Sequence, residues 1–442
     1  MPRPPIQGFW WKSTLAGLAT LVLAWLTWLA YLDIPVDREL ARIRAEGYPT
    51  TLAELNAWYP TPAEARATDL YLQAGRLLQA STTPREGVPL FDPSGLWLQS
   101  TQPLPPGSLS AVTRFVEGNS EVLELMVAAA GLEDVRYGVD FTNPAIISEL
   151  STIAPLRYLV ALELALATNQ ADAQRFHVAC RTILSFCESI QGVPGMASVA
   201  LAPGIAALGY DAMELGLDRV PLSDTQLRDL AQDVQRLVER SSLVRLVAAD
   251  RVLIMQHLRS EQPLPHGSNV LRLGWRLAGL QHLDLLSTLR MYRNRMELAA
   301  TGPLVEANLK ATASHVDRLH RITSDIARST TESLEPIASA QARGAAVLAA
   351  LGVQRFRLAN GRDPGALGEL VSLYLDAVPA DVFAPAGTPL RMVVMADRVV
   401  VYSVGADGAD DGGTPPLGDP ATGSDITFTL PRTPPAAPSP VR

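Results

Sequence analysis

Cysteine, histidine and lysine are scarce in this chain, and each shortage excludes a chemistry. The cysteines are Cys180 and Cys187, seven residues apart in a helical pattern. That spacing separates them by about 10 Å along a helix axis, whereas a disulfide needs Cα atoms within about 7 Å. They read as buried small hydrophobes. The alternative, a metal face of His177, Cys180 and Cys187, lacks a further ligand pair at zinc-site spacing. The other histidines are dispersed, and His315 and His320 fall on different helix faces. Lysine occurs only at Lys12 and Lys310, the arginines do not cluster, and the net charge is −8, so there is no footprint for nucleic acid. Aromatic residues are 6% of the chain, and the apolar 48% rests on Leu, Ala and Val, which favours helix packing over a large sheet.

Catalytic signatures are missing too. There is no His-Glu-x-x-His, no Gly-x-Ser-x-Gly, no phosphate loop and no dinucleotide fingerprint. The chain therefore reads as non-enzymatic. Two alternatives stay open: an extracytoplasmic hydrolase whose site is assembled from distant residues, and a ligand-binding module on stacked helices.

Long hydrophobic runs are also lacking, apart from Ser13 to Leu32, "STLAGLATLVLAWLTWLAYL", which is uncharged and 20 residues long. A helix of that length fits the bilayer core. Trp10 and Trp11 at one end, with Trp28 and Tyr31 near the other, resemble interfacial belts. Arg3 and Lys12 precede the run and Asp33, Asp37, Arg38 and Glu39 follow it. By the positive-inside rule the N-terminus is cytoplasmic and the bulk extracytoplasmic. The run is too long for a cleaved signal peptide and has no clean small-x-small site, so it reads as a signal anchor in the cytoplasmic (inner) membrane. Residues 1–12 are then a cytoplasmic leader, 13–32 a single membrane span, and Pro35 ends the helix.

Residues 33–340 read as an α-helical body. Capping boxes mark helix starts at Thr51–Glu54, Thr61–Glu64 and Ser223–Gln226, and Gly131 ends the helix "SEVLELMVAAAG". Leu156–Ala167 and Ala171–Ser189 form an αα-hairpin. The apolar segment "PGMASVALAPGIAALGY" is interrupted by Pro194 and Pro203 and reads as buried core.

Near residue 340 the composition changes, opening a small α+β domain over 341–430. A helix stops at Asn360-Gly361, a short helix covers Ala366–Leu375, and strands cover Leu390–Met395, Arg398–Val404 and Asp425–Leu430. A proline-rich tail, 431–442, reads as disordered. The fold class is thus mainly α with a short C-terminal antiparallel sheet. Between the last two strands lies "VYSVGADGADDGG", and Asp407, Asp410, Asp411, Asp419 and Asp425 fall within nineteen residues. From spacing alone this is a solvated Asp/Gly/Pro turn.

The order of motifs here resembles the C-terminal region of the major, G-type pseudopilins of type II secretion. The residues that carry the likeness are Asn360-Gly361, Leu367 to Leu370, Val378-Pro379-Ala-Asp381, Gly387-Thr-Pro389, Tyr402-Ser-Val-Gly-Ala-Asp407-Gly408 and Asp425-Ile426. Val382 and Met392 depart from the pattern, and Ser13 stands where pseudopilins carry a glutamate. The resemblance covers roughly the last quarter of the chain. It implies a calcium ion held by the Val404 carbonyl and the carboxylates of Asp407 and Asp425, with Asp410 and Asp411 as further ligands. It also implies an interaction or assembly role with envelope or secretion proteins, the membrane being contacted through residues 13–32.

Overall fold

A computed structural model describes residues 7–432, apart from 60–63, 91–103, 105–106, 144–145, 192, 194–195, 241–242, 260–276, 314–320 and 415–424. The Thr61–Glu64 box, His315, His320, Asp419 and nearly all of the proline-rich tail lie outside the described residues.

The first element, α1, spans Gln7–Ala45 and contains Pro35. This corrects the expectation that Pro35 ends the helix. A proline lacks the N–H that would bond the carbonyl one turn back, which costs the helix a link. Here packing offsets that cost: Leu32, Val36, Leu40 and Ile43 are buried, the last three in a cluster with Met255, Leu258, Leu285 and Leu289. The helix therefore crosses the proline because its far half has a hydrophobic partner.

The body follows. Its first helices are α2 (Leu52–Trp58), α3 (Arg66–Ala80), α4 (Leu109–Glu117), α5 (Ser120–Ala130) and α6 (Ile146–Ile153). Next come α7 (Leu156–Gln170), α8 (Ala173–Gln191), α9 (Met196–Arg219), α10 (Asp224–Arg240) and α11 (Leu243–Arg259). The last are α12 (Leu280–Thr301), α13 (Glu306–Ala313) and α14 (Arg321–Asn360). The expected hairpin is α7 and α8, turned by Ala171 in a left-handed conformation at φ 52°. The Ser223–Gln226 box is complete: Gln226 N donates to Ser223 Oγ at 3.3 Å, and Ser223 N donates to Gln226 Oε1 at 3.0 Å. At Thr51 the box is shifted, because Glu54 Oε2 accepts from Thr50 N at 2.6 Å. Gly131 closes α5 in a right-handed conformation, φ −82°, not in the left-handed one that favours glycine.

The segment with Pro203 forms part of α9, with Leu201, Ala202, Ile205 and Ala206 buried as expected of core. Cys180 and Cys187 are free thiols buried in the same core.

Three antiparallel strands complete the fold in the order β1 (Arg391–Val394), β2 (Arg398–Ser403) and β3 (Ile426–Pro431). Their register pairs Val393 with Val400 and Val401 with Phe428. The short helix expected over Ala366–Leu375 shrinks to a 3-10 turn at Leu367–Leu370. Ser372 then takes φ 77°, and its N–H bonds the Leu375 carbonyl at 2.8 Å, which bends the chain away from a helical path.

The boundary drawn at 340/341 falls inside α14. Ala345, Ala346, Val347, Ala349, Ala350, Leu351 and Val353 of that helix are buried. They share one hydrophobic cluster with body residues such as Ile183, Met213 and Leu230 and with sheet residues Val399, Val401, Phe428 and Leu430. Sheet and body are thus joined through α14.

Among the described residues, three helices are long and apolar enough to cross a membrane: Thr14–Ala45, Glu149–Gln170 and Leu334–Asn360. In the first, 6% of the apolar window is buried, against 56% and 72% in the other two.

Candidate functional site

The acidic loop leaves β2 at Ser403 and returns to β3 at Ile426, so the strand pairing brings its two ends together. Its organiser is Asp381, on the segment that enters the sheet. The Asp381 side chain is fully buried. It accepts from Ser403 Oγ at 2.6 Å, Val404 N at 3.0 Å and Phe383 N at 3.0 Å. Three donors aimed at one carboxylate fix the start of the loop against the neighbouring turn, since buried acceptors are strongly disfavoured without partners.

Of the expected ligands, Val404 is buried and held through its N–H by Asp381. Asp407 caps its own turn, accepting from Ala409 N at 3.0 Å. Asp410 accepts from Gly412 N and the Tyr402 hydroxyl, each at 3.1 Å, and meets Arg391 Nε at 3.1 Å. Arg391 also lies 3.8 Å from Asp381, so one guanidinium stands between the two carboxylates.

Asp425 is buried, and its Oδ2 accepts from Gly413 N at 2.7 Å. Its Oδ1 is enclosed with no hydrogen-bond partner among the described residues. Burial pushes the Asp425 carboxyl above the usual aspartate range, and the negative charges of Asp411 and Asp410 push the same way, against backbone donors from Gly413 and Asp411. The loop therefore wraps a buried carboxyl, with Asp411 and Asp410 close by.

This donor set fits a hard cation in kind, because calcium takes about six to eight oxygens from carboxylates and carbonyls. Among the described residues, however, no group of three or more His, Cys, Asp or Glu is already drawn together as a metal cage. Asp411 and Asp410 lie near enough to Asp425 to raise its pKa, and Asp410 is shared with Arg391.

Two features of the body escaped the sequence reading. One is a buried polar cluster between α11 and α12, with Asp250, Arg251, Asp284, Thr288 and Arg295 all enclosed. Tyr292 Oη donates to Asp250 Oδ2 at 2.5 Å, and Arg251 Nη2 donates to the Pro49 carbonyl at 3.2 Å. The charges Asp250-Arg251 inside the apolar run "VAADRVLIM" are the signal that a sequence offers for it. The other is an apolar cavity lined by Cys187, Ala202, Tyr210, Leu237, Leu243 and Ile337. Gln191 Oε1 and Gln341 Oε1 also line it, unpartnered among the described residues. Burial pushes the Cys187 thiol up to about 12, so it is not a thiolate near neutral pH.

Compared with protein-family profiles, with curated proteins and with solved structures, the chain matches none.

Proposed function

We propose that this chain is a single-pass envelope protein. Residues 13–32 cross the cytoplasmic membrane with the N-terminus inside, and the helical body and sheet work outside as an interaction or assembly element. Its partners are envelope proteins, with a secretion or pilus-like machine as the setting, and calcium closes the acidic loop through Asp425 and Asp411, with Asp407, Asp410 and the Val404 carbonyl as further ligands.

The observation that supports this reading is a contrast in exposure. Among the described residues, large apolar side chains beyond α1 are exposed only singly, as at Val127 and Leu358, yet Leu18, Leu21, Leu23 and Tyr31 on α1 are together 60–70% exposed. A contiguous apolar surface of that kind calls for lipid or a partner. The Oδ1 of Asp425, unpartnered among the described residues, supports the calcium part.

A reporter active only in the cytoplasm, fused after Arg442, is expected to stay silent. Pull-down from solubilised membranes is expected to recover an envelope protein. An active reporter overturns the topology, and a pull-down without an envelope partner overturns the assembly role.

A further inference from the structure

The polar and apolar partners along α1 and α12 occur in the same order. Trp25 Nε1 donates to the Leu277 carbonyl at 2.5 Å. A Cβ built on Gly279 would lie 2.6 Å from Leu32 Cδ1 and 3.2 Å from Leu29 Cδ2. Asp33 Oδ1 meets His282 Nε2 at 3.0 Å, and Glu39 Oε1 meets Arg293 Nη1 at 2.7 Å. The two helices therefore run side by side in one direction, and residues 277–279 lie beside the membrane-spanning part of α1.

We propose that residues 277–280 dip into the bilayer and form a second, monotopic contact with lipid. The inference rests on the reading of residues 13–32 as the membrane span. Trp25 lies eight residues before Asp33, the first charge after the span. At about 1.5 Å per residue that is a depth of ~12 Å below the boundary. That is slightly deeper than the about 5–10 Å to which interfacial segments typically bury their apolar side.

The chemistry of the segment suits lipid. Leu277 and Ala278 are exposed, and Leu277 is 49% exposed. The sequence between Glu261 and Asp284 contains no acidic residue, and its charged residues are Arg272 and Arg276, whose long side chains can reach anionic headgroups. A backbone carbonyl in the bilayer must find an internal donor. The Trp25 indole supplies one to Leu277. Gly279 permits the approach: it is buried against α1 and takes φ +74°, which a side chain would strain. Asp33, the first charge of α1 after the span, meets His282 at this level.

The test is nitroxide depth measurement on the full chain in phosphatidylcholine/phosphatidylglycerol vesicles. Labels go on L277C, A278C, L21C and L358C, one per protein; Cys180 and Cys187 are buried and stay unlabelled. L277C and A278C should be reached by oxygen and shielded from a nickel chelate, at a depth of about 12 Å. L21C should behave as lipid-buried and L358C as aqueous. Nickel accessibility, or protein-immobilised shielding without oxygen access, at both L277C and A278C with L21C in lipid overturns this inference alone. Nickel accessibility at L21C overturns the membrane span itself, and the inference with it.

Discussion

At the scale of single residues, two aspartates divide the work of the acidic loop. Asp381 is satisfied, with Ser403, Val404 and Phe383 donating to it. Removing it strands three donors, so Asp381→Ala should cost about 3 kcal/mol, measured by urea unfolding of the full chain in detergent. Asp425 has one oxygen without a partner among the described residues, and its folded pKa stands above the ordinary 3.8. The sign follows: the native state binds that proton more tightly than the unfolded chain. The resulting stability is full below the ordinary value and is lost as pH rises through the raised folded value. Asp425→Asn should therefore flatten the acid-side pH dependence of the melting temperature. It should leave the calcium-free melt unchanged or higher and abolish the rise with added calcium. A calcium-dependent rise that survives the substitution would remove Asp425 from the site. Arg391 is the internal counter-charge to Asp410 and Asp381. Arg391→Met should enlarge the calcium-dependent rise in melting temperature, because the ion then neutralises carboxylates that the guanidinium otherwise serves. An unchanged calcium response would show that Arg391 does not compete.

At the scale of elements, helix contacts are set by a few glycines at close crossings. A Cβ on Gly75 of α3 would stand 2.7 Å from the Thr152 backbone oxygen of α6. Backbone cannot step aside as a flexible side chain does, so Gly75→Ala should destabilise by about 1–3 kcal/mol in a thermal melt. A neutral effect would mean that α6 slides freely on α3. The elements also show what local pattern carries. The hairpin helices and the three strands were legible within a few residues, because each has strong period or alternation, bounded by turn chemistry. The expected helix at Ala366–Leu375 had apolar spacing alone. It yields to a bend in which Leu367, Leu370 and Leu375 all reach the core.

At the scale of the whole molecule, α14 joins body, sheet and acidic loop. Its buried face packs on α9 and α10 as well as on β2 and β3. Residues 341–432 produced alone would expose that face, so the fragment should show no cooperative melt, whereas the full chain should melt with its sheet and body together. A cooperative melt of the fragment would make the sheet an independent domain. The acidic loop is tied in separately: Val404, Phe383 and Ala384 share a cluster with Met291 and Tyr292 of α12. Leu304 N donates to the Val382 carbonyl at 3.0 Å.

The sequence by itself determined the apolar N-terminal run, most helix starts and stops, the strands, and the place of the aspartates between them. These are short-range properties, written in composition and spacing. Tertiary structure alone decided that α1 continues through Pro35, since the compensating partners lie more than two hundred residues away at Met255, Leu258, Leu285 and Leu289. It also decided which carboxylates matter. Asp381 and Asp425 are enclosed while Asp407 stays exposed, because burial depends on what the folded chain lays over each residue. Finally, it set Leu277 beside Trp25, a contact between residues 252 positions apart that no local pattern encodes.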